Sequence, residues 1–349
     1  MYRSVLPEPE LDFEAYAAAL VVTLREHPAD ATIAVIDSSV EALHRHRDAI
    51  GRLTAPAIGS KSALDVALSK DRTLEVARVL GLPTPRSVLV STAADLDGAV
   101  AEIGTPCVFK PVTSWRPIGL GGERVSPVYV ASAEGGGRVG AALLRPGAAL
   151  LVQEFAGGRR ETIKLFRTSG RTHARFAMIV DRAWPPLGGS SVMRHTTPPP
   201  ADTLEFAERL VAEIGLEGYS EVEFRRDAAN RPLLMEINPR LSQSVELATR
   251  AGVDFPRMQL EWARGGVIPQ PPAHIAGLRL GWLAGDLRLL VGAFAGSPPP
   301  RPQLGKTVRS IASDYVLHRA RLEGFDLHDY RPTLGALGFA ARGLARRRH

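Results

Sequence analysis

The sequence predicts a mixed α/β fold, and three observations predict it. Apolar residues recur at helical 3–4 spacing after Ser69 and again over 202–214. Between these two segments, residues 107–182 are rich in β-branched and aromatic side chains, as strands are. Two further strands, joined by a short Ala-Ala-Asn turn, form a hairpin within 219–240. Together these patterns indicate a sheet-rich middle segment bounded by amphipathic helices.

Composition excludes several classes of protein. The 349 residues are 45% hydrophobic and 23% charged, which is typical of a globular chain with a sizeable core. Apolar runs stop well short of the ~20 residues of a membrane span. The N-terminus is polar and acidic and does not resemble a signal peptide. The single cysteine, Cys107, cannot form an intramolecular disulfide, so we expect a reducing, cytoplasmic location.

The first sixty residues predict a helix over 13–25 and a strand over 32–37, TIAVID. The next helix is well marked. Ser69 can cap it, Gly81 suits the position after its last turn, and Pro83 forbids continuation. The helix therefore begins at Lys70.

The charge balance argues against a nucleic-acid partner. The chain has 43 basic and 37 acidic residues, a net charge of +6. Residues 301–349 carry ten basic and four acidic residues, so the whole excess lies in this tail and the first 300 residues are neutral. Lysine is scarce, which makes each one a candidate for a specific role; the five are Lys61, Lys70, Lys110, Lys164 and Lys306.

Lys110 lies in a strand, CVFKPV, followed by a glycine-containing loop. Gly119, Gly121 and Gly122 would let backbone N–H groups approach an anion, so this segment is a candidate phosphate cradle. A plain surface hairpin is the alternative. The chain lacks the G-x-x-x-x-G-K-[ST] motif, and GLGG lacks the strand–helix context of a dinucleotide fingerprint.

A second candidate nucleotide segment is LLVQEFAGGRRE. Its strand runs into Gln153 and Glu154, and Glu161 follows a turn later. Such a strand-to-loop hinge can offer backbone groups to an adenine edge, and an acid beyond it can bind ribose hydroxyls. The alternative is a strand that simply ends in a turn.

The hairpin within 219–240 carries a cluster of oxygen ligands. Strand alternation predicts that Glu223, Glu236 and Asn238, and with them Glu221, share one face. The opposite face would be apolar, formed by Val222, Phe224, Leu233, Met235 and Ile237. Bunched carboxylates repel each other unless a cation lies among them, and oxygen ligands favour Mg²⁺ or Mn²⁺. The alternative is an ordinary solvated strand face.

The order of these segments resembles the ATP-grasp superfamily, over roughly 68–266. The resemblance is to carboxylate–amine ligases and to carbamoyl-phosphate-synthase-like ATP-binding proteins. Its most specific piece is VEFRRDAANRPLLMEINPR, two acids about a dozen residues apart with the second in E-x-N-x-R. Two of the five lysines fall where that family places its phosphate-binding lysines.

The resemblance implies a role for each matching residue. Lys70 and Lys110 would hold ATP phosphates, and Gly121 and Gly122 would lie in a loop that closes over them. The adenine hinge would be Glu154, Phe155 and Ala156, with Glu161 on the ribose. The metal ligands would be Glu223, Glu236 and Asn238. Arg240 would face the substrate and the transferred phosphoryl group, and Arg182 and Arg194 are candidates for binding a substrate carboxylate.

The resemblance also implies the organisation of the chain. We expect a shortened α/β domain over 1–67 and an ATP-grasp domain over 68–268, with its small lobe at about 106–155. A C-terminal extension with the basic tail would occupy 269–349. Two lobes of largely antiparallel sheet, with helices, would clamp ATP between them.

The predicted function is an ATP- and Mg²⁺-dependent (or Mn²⁺-dependent) ligase that activates a carboxylate as an acyl phosphate for attack by an amine. Small-molecule carboxylate and amine substrates are the expected partners, with no nucleic acid and no membrane span. A homodimer is an open alternative. Two other functions remain open: a carboxyphosphate-forming protein that acts on bicarbonate, and a non-catalytic ATP-binding regulatory protein.

Overall fold

The computed structural model describes residues 4–144, 147–273, 275–295, 303–325 and 335. Most of the predicted basic tail lies outside these residues. The helices are α1 (Phe13–Glu26), α2 (Asp37–Arg45), α3 (Arg47–Gly51), α4 (Lys61–Ala67), α5 (Lys70–Val79), α6 (Leu96–Ile103), α7 (Gly136–Leu143), α8 (Ala201–Ile214), α9 (Val245–Arg250), α10 (Phe255–Ala263), α11 (Leu283–Ala295) and α12 (Leu304–Ala312).

The strands form four sheets, two of them small. They are β1 (Ala31–Thr32), β2 (Ala55–Pro56), β3 (Ser87–Val90), β4 (Cys107–Pro111), β5 (Trp115–Ile118), β6 (Gly121–Arg124), β7 (Val128–Val130), β8 (Leu150–Glu154), β9 (Arg160–Thr168), β10 (Arg171–Trp184), β11 (Ser190–Thr197), β12 (Gly218–Arg226), β13 (Pro232–Asn238), β14 (Arg279–Gly281) and β15 (Arg321–Leu322).

The N-terminal region contains the predicted first helix, but the predicted strand over 32–37 is wrong. The strand β1 ends at Thr32, whose C=O accepts from Ala57 N at 2.9 Å, and residues 33–35 are irregular. Ile36 is extended, and its N–H donates to Ser39 Oγ at 3.2 Å. That bond helps to start α2 at Asp37, so Asp37 lies in the first turn of a helix.

The lysine-bearing helix is confirmed. The helix α5 begins at Lys70 and buries Leu74 and Ala77. Ser69 occupies the N-cap position, but its side chain does not cap the helix, because its hydroxyl donates to the carboxylate of Asp71 instead. Beyond its end, Gly81 has a φ of +71°, a conformation that glycine adopts without strain. The first residue of α5 therefore has a fixed position, because the packed helix holds it there.

The four-stranded sheet has the order β3-β8-β4-β7, and all of its pairs are antiparallel. Its buried core includes Val90, Phe109 and Val152, packed against Leu96 and Val100 of α6. The sheet carries Lys110 on β4 and the predicted hinge at the end of β8.

The seven-stranded sheet has the order β13-β12-β9-β10-β11-β14-β15. Its first six strands pair antiparallel, and β14 and β15 pair parallel. One core packs Leu64 of α4, Leu74 of α5 and Ala207 of α8 against Val222 and Phe224 of β12. Two short strands from the predicted C-terminal extension, β14 and β15, complete the sheet.

The predicted fold class, α/β with largely antiparallel sheets, is confirmed. The domain boundaries stay predictions. Within the part of the chain that the structure describes, every helix is too short or too polar to cross a bilayer.

Candidate active site

Two lysines from different elements approach β13, an edge strand of the seven-stranded sheet. Lys70 Nζ lies 3.3 Å from Glu236 Oε2 and donates to Ser114 Oγ at 2.8 Å. Lys110 Nζ donates to Gln153 Oε1 at 2.6 Å and lies 3.7 Å from Met235 Sδ. Helix α5 and strand β4 thus bring two cations to neighbouring residues of β13.

The surroundings of Lys110 lower its pKa. Burial is the main cause of a pKa of about 8 for Lys110; Glu236 opposes this shift and nearby Lys70 adds to it. Its hydrogen-bond partner Gln153 is neutral, so the cation is not paired with a carboxylate at that contact. An incoming anion would therefore stabilise the charged form of Lys110 strongly.

This shift predicts a pH dependence of nucleotide binding. Lys110 is charged below about pH 8 and loses its proton as the pH rises through that value. We expect ATP affinity to fall by up to roughly tenfold over the unit of pH above this pKa. Titrations of Mg²⁺–ATP by calorimetry at several pH values measure it.

Two lysine variants make this pH prediction specific. Lys110→Met should bind ATP weakly and lose the pH dependence, because its titrating group is gone. The exposed Lys61, at the start of α4, supplies the control, since Lys61→Met should keep the wild-type profile. A profile for Lys110→Met that matches the wild type would show that another group titrates.

The predicted metal ligands lie on paired strands. Glu223 of β12 is directly opposite Glu236 of β13, and Asn238 Nδ2 lies 3.4 Å from Glu223 Oε1. Burial raises the pKa of Glu223, with Glu236 and Glu221 adding to the effect and Arg160 opposing it. Burial acts the same way on Glu236, but Lys70, Lys110 and Arg160 outweigh it and hold the pKa of Glu236 below its usual value.

This donor set fits a hard divalent cation. Two carboxylates and one amide offer oxygen ligands, and the repulsion between Glu223 and Glu236 is what a bound cation would relieve. Over the described residues, groups of three or more His, Cys, Asp or Glu arranged around a metal position are absent. Phosphate oxygens and water would have to complete the coordination, as they usually do for Mg²⁺.

Arg160 belongs to the same cluster, although the sequence patterns do not single it out. From β9, its Nη2 lies 3.0 Å from Glu223 Oε2, and its Nη1 donates to Gly189 O at 2.7 Å. Only the pairing of β9 with β12 brings these side chains together, so no local signal could have found it.

A β-bulge overturns the predicted faces of β13. Glu223 pairs with Glu236, whereas Phe224 pairs with Leu234, so Met235 is an extra residue in the strand. Met235 therefore does not share the core face of Ile237. It clusters with Leu233 and Ala156, while the core on the other side includes Leu234, Ile237, Val222 and Phe224. Strict alternation fails here because the bulge shifts the phase of the strand by one residue.

The cluster of Ala156, Leu233 and Met235 forms a small apolar surface beside Lys110. Gln153 Nε2 is buried nearby and lacks a hydrogen-bond partner among the described residues. An apolar floor and an unsatisfied donor are features that suit a heteroaromatic base. Gln153, Leu233 and Met235 are missing from the predicted site; the signal for Gln153 was its place as the first of the Gln-Glu pair.

The other predicted nucleotide residues have protein partners of their own. Glu154 accepts from the backbone N–H and Nε of Arg86, both at 3.0 Å. Phe155 packs edge-on against Tyr129, with ring centroids 5.0 Å apart. Glu161 is buried and accepts from Arg226 Nη2 at 2.8 Å. Their roles in binding adenine and ribose stay predictions.

Glu223, Glu236 and Asn238 are called the acidic cluster below. The predicted substrate arginines, Arg182 and Arg194, contact other residues. Arg182 Nη2 donates to Asp286 Oδ1 at 2.9 Å and its Nη1 to Ser310 Oγ at 2.8 Å, which ties β10 to α11 and α12. Arg194 is completely buried, and its Nη2 lies 3.0 Å from Glu323 Oε2. Their role in binding a substrate carboxylate stays a prediction. A substrate carboxylate would have to displace these protein partners from the guanidinium groups.

Arg240 is held by the N-terminal region. Its Nε donates to Asp37 Oδ1 at 2.5 Å, and both side chains are mostly buried. Asp37 also lines a small pocket with Lys70, Ser114 and Asn238. The short segment that precedes α5 therefore contributes a carboxylate next to the cluster.

Gly121 and Gly122 lie in the hairpin formed by β5 and β6, which the N-terminal segment clamps. Phe13 N donates to Leu120 O at 2.7 Å, and Gly122 N donates to Glu10 O at 3.2 Å. The glycines serve close packing here, because a Cβ on Gly121 would lie 2.1 Å from Glu10 O and one on Gly122 would lie 2.2 Å from the Trp115 ring. Their part in closing over phosphates stays a prediction.

This packing predicts that Gly121→Ala destabilises the protein. The added methyl meets backbone rather than a flexible side chain, so we expect a loss of about 1–3 kcal/mol in the free energy of unfolding. Urea unfolding measures it. Gly98→Ala is the matched control, because a Cβ there meets nothing within 4 Å and the position lies inside α6. Equal stability of the two variants would contradict the close packing of Gly121 against the backbone of Glu10.

A fully buried ion pair lies beside the acidic cluster. Lys164 of β9 pairs with Glu221 of β12, and both are nearly inaccessible to solvent. Lys164 Nζ also donates to Ser244 Oγ at 2.7 Å, and Ser242 Oγ donates to Glu221 Oε2 at 2.7 Å. The pair thus anchors the segment that follows Arg240.

Comparison with solved structures identifies the fold. An L-amino acid ligase from Bacillus licheniformis superposes with a TM-score of 0.60 at 16% identity, covering 78% of this chain and 66% of that one. The biotin carboxylase domain of the 2-oxoglutarate carboxylase of Hydrogenobacter thermophilus, in complex with MgADP, ADP and bicarbonate, gives 0.62 at 16% identity, covering 76% and 61%. The profile of a family described as "ATP-grasp in the biosynthetic pathway with Ter operon" matches residues 148–285. The chain has an ATP-grasp fold.

The resemblance seen in the sequence is therefore confirmed. Among curated relatives of this chain, the D-alanine–D-alanine ligase of Ectopseudomonas mendocina (strain ymp) is 26% identical over 213 residues. That match covers 56% of the present chain and 64% of the ligase, so the chain spans less than two thirds of its relative.

Proposed function

We propose that the protein is an ATP-dependent ligase that joins a carboxylate to an amine and releases ADP and phosphate. The observation that carries this proposal is the convergence of Lys70 and Lys110 on the paired acids Glu223 and Glu236. Such a patch would bind polyphosphate through its cations and a divalent metal through its carboxylates. The names of the ligase relatives support the same reaction class.

The reaction would proceed in two displacements. A carboxylate oxygen of the first substrate attacks the γ-phosphorus of ATP, and the bond to ADP breaks. The amine nitrogen of the second substrate then attacks the acyl carbon, phosphate leaves with the bonding electrons, and the nitrogen loses a proton. Phosphoryl transfer of this kind depends mainly on alignment and charge neutralisation.

Different side chains would bind the phosphates, the metal and the adenine ring. Lys70 and Lys110 would bind phosphate oxygens, and Arg160 would keep Glu223 ionised and oriented. Mg²⁺, when bound by Glu223, Glu236 and Asn238, would neutralise charge on the phosphates. The apolar cluster with Met235 would receive the adenine ring.

The substrate class we propose is amino acids, because an amino acid ligase and a D-alanine–D-alanine ligase are among the relatives. Both substrates would then be small molecules. The cytoplasm is the compartment we expect, in keeping with a single, buried and unpaired Cys107. A homodimer is the assembly we propose to test by light scattering.

The test is ADP release from Mg²⁺–ATP with D- and L-amino acids supplied singly and in pairs, and with bicarbonate. A ligase releases ADP only when both a carboxylate and an amine are present, and mass spectrometry then detects the condensed product. Release stimulated by bicarbonate alone would favour carboxyphosphate formation. Thermal stabilisation by ATP with no turnover under any condition would favour a regulatory ATP-binding protein.

A further inference from the structure

Arg240 and Asp37 form an ion pair between residues more than two hundred positions apart in the chain. Asp37 starts α2, and Arg240 follows the end of β13. Their side chains are only 12% and 14% exposed, so water competes poorly for either group. A mostly buried, short contact of this kind fixes a guanidinium far better than an exposed pair does.

Asp37 contacts only the Nε side of the Arg240 guanidinium. The carboxylate accepts from Nε, whereas Nη1 and Nη2 of Arg240 donate to no other described residue. A guanidinium is planar, so fixing Nε also fixes the direction of the two terminal groups. Those two groups remain available to bind an oxyanion in bidentate fashion.

The surroundings keep Arg240 charged and close to the cluster. Burial would lower the pKa of Arg240, but Asp37, Glu221 and Glu236 outweigh it and hold that pKa above its ordinary value. Asp37 lines the same pocket as Lys70 and Asn238. The terminal groups are thus held next to residues that the proposed function assigns to phosphate and metal.

We infer that Asp37 is a positioning residue for Arg240. It holds the Nε edge so that Nη1 and Nη2 bind an oxyanion of the reaction, the phosphoryl group in transfer to the substrate carboxylate. The inference rests on the proposed function for the identity of that oxyanion. It gives the short N-terminal region a direct part in the site.

The first test is a double-mutant cycle with Asp37→Asn and Arg240→Met. Asp37→Asn should lower kcat/KM by about 10–100-fold, while the Kd for Mg²⁺–ATP is unchanged because both lysines remain. The loss should appear in kcat and not in the KM of the carboxylate, because the group bound by Nη1 and Nη2 is the phosphoryl group in transfer. In the Arg240→Met background, Asp37→Asn should change kcat/KM by less than about twofold.

The control and a second probe separate positioning from simple support of the fold. Glu208→Gln on α8 removes a carboxylate that pairs with Arg175 and does not line this pocket, so kcat/KM should be unchanged. Inorganic phosphate is then titrated by calorimetry into the protein with ADP and Mg²⁺. Asp37→Asn should weaken phosphate binding about tenfold by loss of orientation, and Glu208→Gln should not.

The phosphate titration needs no turnover, so it distinguishes the two proposals. If the wild type turns over no substrate pair, the proposed function fails, while the phosphate result still decides the role of Asp37. The inference is overturned if Asp37→Asn binds phosphate like the wild type. It is equally overturned if its effect on kcat/KM is the same with and without Arg240.

Discussion

Glu236→Gln is expected to lower kcat by about 10²–10³-fold, which is the scale on which a preorganised electrostatic group contributes. The substitution keeps the shape of the side chain but removes the charge that faces Lys70 at 3.3 Å and that opposes the loss of a proton by Lys110. It also removes one of the two carboxylates proposed to hold the metal. Steady-state ADP release and Mg²⁺ titration measure both losses.

The matched control for Glu236→Gln is Glu208→Gln. Glu208 is 30% exposed, close to the 29% of Glu236, and it also has one basic partner, Arg175. It lies on α8, away from the acidic cluster, so full activity is expected. Full activity in Glu236→Gln, or equal losses in the two variants, would contradict the proposed role of Glu236.

Lys164→Met is expected to cost about 3–5 kcal/mol in the free energy of unfolding, as breaking a buried ion pair from one side does. Glu221 would then remain buried without its cation, which at present outweighs the effect of burial and holds its pKa well below the usual value. The hydroxyls of Ser242 and Ser244 would lose a shared donor. Urea unfolding measures the change.

Two further variants identify the cause of that loss. Lys164→Met combined with Glu221→Leu should recover most of the stability, because an apolar pair leaves no unpaired charge. Lys61→Met, on the exposed surface of α4, should lie within about 0.5 kcal/mol of the wild type. A double variant whose loss equals the sum of the single losses would contradict the account of the buried pair.

The sequence predicted those parts of the site that depend on local patterns. The start of α5 at Lys70 is predicted correctly, although the Ser69 side chain does not cap the helix. Strand alternation correctly brings Glu223 and Glu236 to one face. The fold class and the ATP-grasp resemblance are confirmed as well. The functional roles of the individual residues stay predictions.

The parts that could not be predicted depend on tertiary pairing. The bulge at Met235 breaks the two-residue period, and a bulge has no signature in this strand's sequence. Arg160 meets Glu223 only through the pairing of β9 with β12. Asp37, expected in a strand, begins a helix, and its carboxylate pairs with Arg240, 203 positions away in the chain. Each case involves contacts between segments that are distant in the chain.

The central claim is that the carboxylate itself receives the phosphoryl group, and an isotope measurement tests it most directly. The first substrate is supplied with ¹⁸O in its carboxylate, together with Mg²⁺–ATP and the amine. If an acyl phosphate forms, one ¹⁸O from the carboxylate is transferred to each phosphate released, and mass spectrometry detects it. Phosphate that carries no ¹⁸O, while ADP and the condensed product accumulate, would contradict the account.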